Sequence, residues 1–146
     1  MQIRQLIRRP LVTVEDCASI REAAKKMEAH NVGLLVVVDS EGRMVGVISE
    51  RDIARLVAEG VDLDKTRVGE VAKKPVITVR QDDSVAKAAL LMKTYGVRHL
   101  VVVDDAGKPI GVISIRDMID LDVALENIAN VEICEEEVEG PLKVTS

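Results

Sequence analysis

An internal repeat is the sequence feature that most constrains the fold of this chain. The segment Gly46–Asp52, which reads Gly-Val-Ile-Ser-Glu-Arg-Asp, returns as Gly111–Asp117, which reads Gly-Val-Ile-Ser-Ile-Arg-Asp. The same offset, from position 46 to position 111, aligns other residues without a gap: Pro10 with Pro75, Thr13 with Thr78, Ser19 with Ser84, Ala23 with Ala88, Met27 with Met92 and Asp39 with Asp104. One supersecondary unit therefore occurs twice. A period this long predicts a pseudo-symmetric pair rather than a solenoid.

Each copy predicts the order β-α-β-β-α. A proline, Pro10 or Pro75, opens a β-branched run and is expected to be the first residue of a strand. Ser19 and Ser84 are predicted to be the N-caps of the first helices. The Ala pairs on those helices suit close packing against a sheet or another helix: Ala23 with Ala24, and Ala88 with Ala89.

The second half of each copy predicts a hairpin and a helix. The continuous apolar runs at 32–39 and 97–104 are typical of strands buried on both faces. Turns containing glycine lead into return strands at Met44–Ser49 and Pro109–Ser114, and second helices follow at 51–58 and at 116 to about 125. The fold class is therefore mixed α/β (α+β), with repeats at 1–63 and 64–128.

Residues 129–146 have no counterpart in the repeat and are acidic. We expect a frayed or partner-packed tail there, with a short strand at 131–134 as the alternative.

Composition narrows the class of protein. The chain has one Tyr and neither Phe nor Trp, so its core must be aliphatic. A net charge of −5 argues against nucleic acid as the main partner. The basic start, with Arg4, Arg8 and Arg9, is expected to be a solvated end rather than a phosphate site. No run approaches the roughly 20 apolar residues of a membrane span, and no signal-peptide pattern opens the chain, so we expect a cytoplasmic protein without membrane contact.

Metal and enzyme chemistry lack a sequence signature. Cys17, Cys134, His30 and His99 do not show the ligand spacing of a zinc site, and a disulfide between the two cysteines stays open. Walker loops and ordered Ser-His-Asp sets are not found. We therefore expect no enzymatic activity, no metal and no required cofactor.

The repeated Ser-x-x-Asp has two interpretations. It is close to a capping box, in which serine and carboxylate satisfy backbone N–H groups at a helix start. Three features favour a ligand site instead. Asp is short for a capping box, which prefers Glu or Gln. The motif lies where a strand turns into a helix, a common place for phosphate. The nearby cations Arg51, Arg98 and Arg116 are not explained by a cap.

Two β-α-β-β-α units, each with Gly-h-h-Ser-x-x-Asp (h apolar) after a Val-Val-Asp strand, resemble a tandem pair of cystathionine-β-synthase (CBS) domains, also called a Bateman module. The resemblance covers about residues 1–128. It implies two sheets packed together with pseudo-two-fold symmetry. It also implies two clefts for regulatory adenosine-type ligands, such as AMP, ADP, ATP or S-adenosylmethionine, in a module that senses energy state.

In that family the motif aspartate holds the ribose hydroxyls and the serine lies by the ribose or phosphate. The resemblance thus implies one cleft, here called the Asp117 cleft, formed by Asp117, Ser114, Arg116, Val112, Arg98, His99, Pro10, Val32 and Gly33. It implies another, the Asp52 cleft, formed by Asp52, Ser49, Arg51, Val47, Pro75 and Val97.

The two clefts are not equal in sequence. Arg98 and His99 stand where the first copy has Gly33 and Leu34, so the Asp117 cleft is expected to be the tighter nucleotide site. For His99 the favoured interpretation is a hydrogen-bonded histidine at a strand edge. The resemblance also implies a disc-like homodimer, and a protein target would be a separate polypeptide. The alternative function is a ligand-free dimerisation or protein-interaction module.

Overall fold

The computed structural model describes residues 2–119 of the chain. A 3-10 helix, Ile3–Leu6, precedes the first repeat. The repeat itself consists of β1 (Thr13–Glu15), α1 (Ile20–His30), β2 (Leu34–Val38), β3 (Met44–Ser49) and α2 (Glu50–Ala58). A short helix, α3 (Val68–Val71), precedes the second, which consists of β4 (Thr78–Arg80), α4 (Val85–Tyr95), β5 (His99–Val103), β6 (Pro109–Ser114) and α5 (Ile115–Met118). The predicted order β-α-β-β-α is confirmed in both copies.

Each repeat forms its own three-stranded sheet, with strand orders β1-β2-β3 and β4-β5-β6. The first strand of each sheet pairs parallel to the central one, and the last pairs antiparallel to it. Both hairpins carry a register shift at the same place, between Val37 and Val38 and between Val102 and Val103. The repeat is therefore preserved down to backbone irregularities.

The predicted N-caps are confirmed. Ser19 Oγ accepts the backbone N–H of Glu22 at 3.1 Å, and Ser84 Oγ accepts that of Lys87 at 3.2 Å. The prediction that a proline is the first residue of each opening strand is wrong, because the strands begin at Thr13 and Thr78. The register that pairs Thr13 with Val36 and Thr78 with Val101 would set each proline opposite a residue that precedes the central strand. The prolines thus lie beyond the ends of the ladders.

The central strands are buried on both faces, as predicted. In β2, Leu35 and Val37 pack in one cluster with Ile20 and Ala23 of α1. The alternate residues of β2 and β5 form a separate cluster between the two sheets: Leu34, Val36, Val38, Val101 and Val103. The two repeats therefore pack through their sheets, as the family resemblance implied. We call this cluster the intersheet seam.

The segment before each repeat packs on the other repeat. Ile3 and Leu6 belong to the core of the second repeat, whereas Val68 of α3 belongs to that of the first. Backbone hydrogen bonds hold both crossings: Ile3 N–H donates to Asp83 at 3.0 Å, and Val68 N–H donates to Ala18 at 2.8 Å. The two cores are thus interleaved across the predicted boundary between residues 63 and 64.

The motif glycines allow these crossings. A Cβ at Gly46 would lie 2.9 Å from the Cβ of Ala72 and 3.0 Å from the carbonyl oxygen of Lys73. A Cβ at Gly111 would lie 2.9 Å from Cγ2 of Ile7. Glycine opens the repeated motif because another stretch of chain approaches the strand closely there.

The alanine pairs serve mainly the inside of each repeat. Ala23 and Ala88 are fully buried in the cores beneath their helices. Ala24 is half-buried and Ala89 is exposed. Of these four alanines, only Ala24 and Ala89 are accessible for contacts outside their own repeat.

Several sequence predictions lie outside the described residues: the continuation of the last helix to about 125, the strand at 131–134 with Cys134, and the acidic tail at 129–146. Within residues 2–119, no helix has the length and hydrophobicity that crossing a bilayer requires.

Replacing Gly46 by alanine is expected to lower the free energy of unfolding by about 1–3 kcal/mol, since the new methyl group meets a backbone carbonyl that cannot move aside. Gly111→Ala is the matched comparison and is expected to cost less, because its new contacts are with the Ile7 side chain. Urea unfolding of both variants measures the difference. A Gly46→Ala protein as stable as wild type would contradict the close-approach explanation.

Candidate functional site

The Asp117 cleft lies between the repeats and has a volume of about 320 Å³. All nine residues predicted for it line its wall: Pro10, Val32, Gly33, Arg98, His99, Val112, Ser114, Arg116 and Asp117. The structure adds lining residues that sequence reasoning missed: Arg8, Arg9, Val12, Asn31, Leu34, Glu50 and Ile115. Arg8 and Arg9, expected only as part of a solvated end, are exposed and yet form part of this wall.

The Asp52 cleft is the larger of the two, at about 520 Å³. All six predicted residues line it: Val47, Ser49, Arg51, Asp52, Pro75 and Val97. The lining residues that were missed include the cations Arg55 and Lys73. A signal for Lys73 was present in the sequence, because a basic pair precedes each repeated proline, Arg8-Arg9 before Pro10 and Lys73-Lys74 before Pro75.

The capping interpretation of the motif is structurally correct, and the argument that aspartate is too short for it is wrong. Asp52 Oδ2 accepts the backbone N–H of Ser49 at 2.8 Å and its hydroxyl at 2.9 Å. Ser49 Oγ in turn accepts the backbone N–H of Asp52 at 3.2 Å. The short side chain suffices because the first helical turn brings residue N3 next to the N-cap. Capping and lining a cleft are thus combined in one residue.

Asp52 has partners at both of its carboxylate oxygens. Besides the contacts of Oδ2 with Ser49, Oδ1 lies 3.1 Å from Nζ of Lys73 and 3.3 Å from a guanidinium nitrogen of Arg55. The residue is only 1% exposed. Burial raises the pKa of Asp52, but the hydrogen bonds from Ser49 and Lys73 outweigh it, so that the pKa lies below its ordinary value of 3.8. The carboxylate is therefore charged and neutralised by protein cations.

Asp117 is less engaged than its counterpart. Its Oδ2 accepts the backbone N–H of Ser114 at 2.7 Å and the Ser114 hydroxyl at 3.2 Å. Among residues 2–119, no hydrogen bond or ion pair reaches Oδ1. The residue is half-buried in the wall of its cleft. One carboxylate oxygen is thus available to accept hydrogen bonds from a ligand.

A common wall separates the two clefts. It consists of the residues that line both: Leu34, Glu50, Arg98 and His99. A Cβ at Gly33 would lie 3.2 Å from Oε1 of Glu50 and 3.3 Å from Nε2 of His99, so these two side chains enclose the glycine. We call these four residues the shared wall.

His99 does not match its favoured interpretation. It is the first residue of the central strand β5, and its ring makes no hydrogen bond with the part of the chain that the structure describes. Burial lowers the pKa of His99 below its ordinary value of 6.5; Glu50 and Asp117 oppose this shift, and Arg116 and Arg98 add to it. The neutral imidazole therefore predominates at neutral pH.

The two aspartates are expected to differ in their contribution to stability. Asp52→Ala removes the cap and both ion pairs from a buried position, and should lower the free energy of unfolding by about 2–3 kcal/mol. Asp117→Ala removes chiefly a cap and should cost about 1 kcal/mol. Urea unfolding at pH 7 compares the matched pair. An equal loss of unfolding free energy in the two variants would show that Lys73 and Arg55 add nothing to stability through Asp52.

The lowered pKa of His99 predicts a pH dependence. Below pH 6.5, the ordinary pKa of histidine, His99 binds a proton more readily in the unfolded chain than in the folded one. The contribution of neutral His99 to the free energy of unfolding is therefore fully present above pH 6.5 and is lost as the pH falls below it. Urea unfolding from about pH 8 to about pH 5 should show a smaller loss of stability in His99→Gln than in wild type. His30→Gln, which removes the exposed histidine of α1, is the control. A His99→Gln profile parallel to that of wild type would contradict the assignment.

Comparison with known proteins now identifies the family. The family model described as CBS domain matches this chain twice, at residues 3–59 and 68–124. Uncharacterized protein MK0525 of Methanopyrus kandleri is 32% identical over 133 residues, which cover 90% of this chain and 67% of that protein.

Two solved structures share the fold. The CBS domain protein PAE2072 from Pyrobaculum aerophilum, complexed with AMP, is 38% identical with a TM-score of 0.80, covering 90% of this chain and all of that one. The CBS domain pair of protein MJ0100, in complex with 5′-methylthioadenosine and S-adenosyl-L-methionine, is 30% identical with a TM-score of 0.76, covering 86% and 98% of the two chains. The resemblance seen in the repeated motif is confirmed: this chain belongs to the CBS domain family, as a tandem pair of CBS domains.

Proposed function

We propose that this chain is a regulatory module that binds an adenosine-type ligand in the Asp117 cleft. The observation that carries the proposal is the difference between the two motif aspartates. Asp117 has a carboxylate oxygen without a partner among residues 2–119, at the wall of a cleft, whereas both oxygens of Asp52 are engaged by protein groups. A ribose diol needs an acceptor of this kind, which Asp117 offers without breaking an ion pair.

The rest of the Asp117 cleft suits a nucleotide. Val32, Val112 and Pro10 line it with apolar surface, which suits a flat base. With Arg8 left aside, its described wall still carries more cations than anions: Arg9, Arg98 and Arg116 against Glu50 and Asp117. Arginine binds phosphate oxygens in bidentate fashion. This balance of charge favours phosphate-bearing ligands such as AMP, ADP and ATP over S-adenosylmethionine.

Two relatives support the ligand class. PAE2072 was solved with AMP, and the MJ0100 pair was solved with 5′-methylthioadenosine and S-adenosyl-L-methionine. All three compounds contain adenosine with a ribose diol. Because the fold and the family are shared, the same class of ligand is proposed for this chain.

We propose a weaker role for the Asp52 cleft. A ribose there would have to share Asp52 with Lys73 and Arg55, which already hold its Oδ1. Displacing these cations costs binding free energy, although they then become available to a phosphate. The Asp52 cleft is therefore proposed as a second, weaker site.

A ligand between the two repeats can regulate only if it binds two arrangements of the protein with different affinity. The intersheet seam is the surface on which such arrangements would differ, and both clefts lie beside it. The regulated partner is proposed to be a separate polypeptide. The module thereby reports nucleotide level, and so energy state, to that partner.

A second candidate, a dimerisation or protein-interaction module, is favoured by exposed apolar side chains. Large hydrophobic residues are 44–67% exposed on and beside the helices α2, α4 and α5: Val57, Leu90, Tyr95, Ile115 and Ile119. A homodimer would cover such residues. This candidate does not require either cleft to be occupied.

Calorimetric titration with AMP, ADP, ATP and S-adenosylmethionine tests the first candidate. We expect AMP to bind wild type, Asp117→Asn to weaken the tight site at least tenfold, and Asp52→Asn to leave that site intact. Asparagine keeps the shape of the side chain and one oxygen that can accept the backbone N–H of the motif serine. At a hundredfold excess over Kd the ligand should also stabilise the wild type by about 2.7 kcal/mol.

Two results would contradict this proposal in different ways. Loss of the tight site in Asp52→Asn but not in Asp117→Asn would place the ligand in the Asp52 cleft instead of the Asp117 cleft. Binding of none of the four compounds, with a stable dimer in light scattering, would favour the interaction module.

A further inference from the structure

The shared wall breaks the pseudo-symmetry of the molecule. Two of its members, Leu34 and His99, occupy matching positions in the two repeats. Its charged members have no charged counterpart, because Arg98 matches Gly33 and Glu50 matches Ile115. The two clefts therefore share the guanidinium of Arg98 and the carboxylate of Glu50. A symmetric molecule would instead have a separate copy of each group in each cleft.

The backbone of Arg98 is fixed, while its guanidinium is uncommitted. Its carbonyl oxygen accepts the N–H of Ile115 at 2.9 Å, at the start of α5. The side chain is exposed, and no hydrogen bond or ion pair holds the guanidinium within residues 2–119. A long, unpaired side chain anchored between two clefts can turn toward either of them, but it contacts a phosphate in only one at a time.

Glu50 makes this choice consequential. Its backbone N–H donates to the carbonyl of Gly33 at 3.0 Å, which mirrors the bond that fixes Arg98. Its carboxylate faces both clefts and disfavours an anion in each of them. When Arg98 turns toward a phosphate in one cleft, the other cleft keeps the carboxylate and loses the cation that offsets it.

We propose that the two clefts are coupled antagonistically through Arg98, so that a phosphate-bearing adenosine ligand in one cleft weakens the binding of a second such ligand in the other. This inference rests on the proposed function and adds its regulation. The module then responds to nucleotide over a wider concentration range than two independent sites would allow. An adenosine without phosphate draws no guanidinium, so its binding in the two clefts is uncoupled.

The coupling is expected to be about tenfold in affinity, within the usual range for coupled sites. Measuring it requires a signal from each cleft. Val112 lines only the Asp117 cleft and Val47 lines only the Asp52 cleft, so their methyl resonances in an NMR titration report the two occupancies separately.

The experiment titrates AMP into wild type and into Asp117→Asn and follows the methyl signals of Val47. In wild type the Asp117 cleft fills first, and the Asp52 cleft should then need about tenfold more AMP for half-saturation than in Asp117→Asn. With Arg98→Gln added to both proteins the difference should vanish. Lys93→Gln, which removes a positive charge from α4 outside both clefts, is the control and should preserve it. Adenosine in place of AMP should show no difference.

Three outcomes would overturn the inference. The first is the same half-saturation of the Asp52 cleft in wild type and Asp117→Asn, which would make the clefts independent. The second is a difference in half-saturation that persists with Arg98→Gln, which would exclude Arg98 as the shared cation. A wild-type Asp52 cleft that needs less AMP than the same cleft in Asp117→Asn would likewise exclude antagonism. The third is an Asp52 cleft that takes no AMP in either protein. If AMP moves neither the Val112 nor the Val47 signals, the proposed function itself fails and this inference fails with it.

Discussion

The intersheet seam is the contact on which the rest of this structure depends. A chain with one aromatic residue must build its core from branched aliphatics, and the central strands supply them to both faces. Burying each of these side chains contributes about 1.5–3 kcal/mol, so the valines and the leucine of the seam add substantially to the cohesion between the repeats. The clefts are where this packing ends: Leu34 belongs to the seam and to the walls of both clefts.

The repeated motif joins two tasks that the sequence presented as alternatives. Its serine and aspartate close the first turn of a helix, and the same aspartate lines a cleft. A cap satisfies one carboxylate oxygen and leaves the other for a further partner. At Asp52 that partner is the protein's own Lys73 and Arg55, whereas Asp117 has none among residues 2–119. The cap therefore uses one carboxylate oxygen of the aspartate, and the proposed ligand contact would use the other.

Much of the fold could be predicted from the sequence, because in a gapless repeat each local pattern occurs twice and the two copies support the same prediction. The element order, the caps at Ser19 and Ser84, and the strands buried on both faces followed in this way. The placement of the cleft residues came from the family resemblance. What could not be predicted are contacts between segments distant in sequence, such as Lys73 with Asp52 and Ile3 with the second core. Periodicity carries no information about which segment crosses over to which repeat.

The difference in charge between the clefts comes from side chains, because the strand frame on which they stand is the same in both repeats. The strand registers, the bulges and the backbone dihedral angles of the two motif serines repeat at matching positions. Onto this common frame the chain places Arg98 opposite Gly33 and Glu50 opposite Ile115. Both charged residues lie in the shared wall, so each alters two clefts at once. A duplicated fold with an unduplicated wall thereby has two clefts that share the same two charged side chains, and this sharing is the physical basis of the coupling that we propose between them.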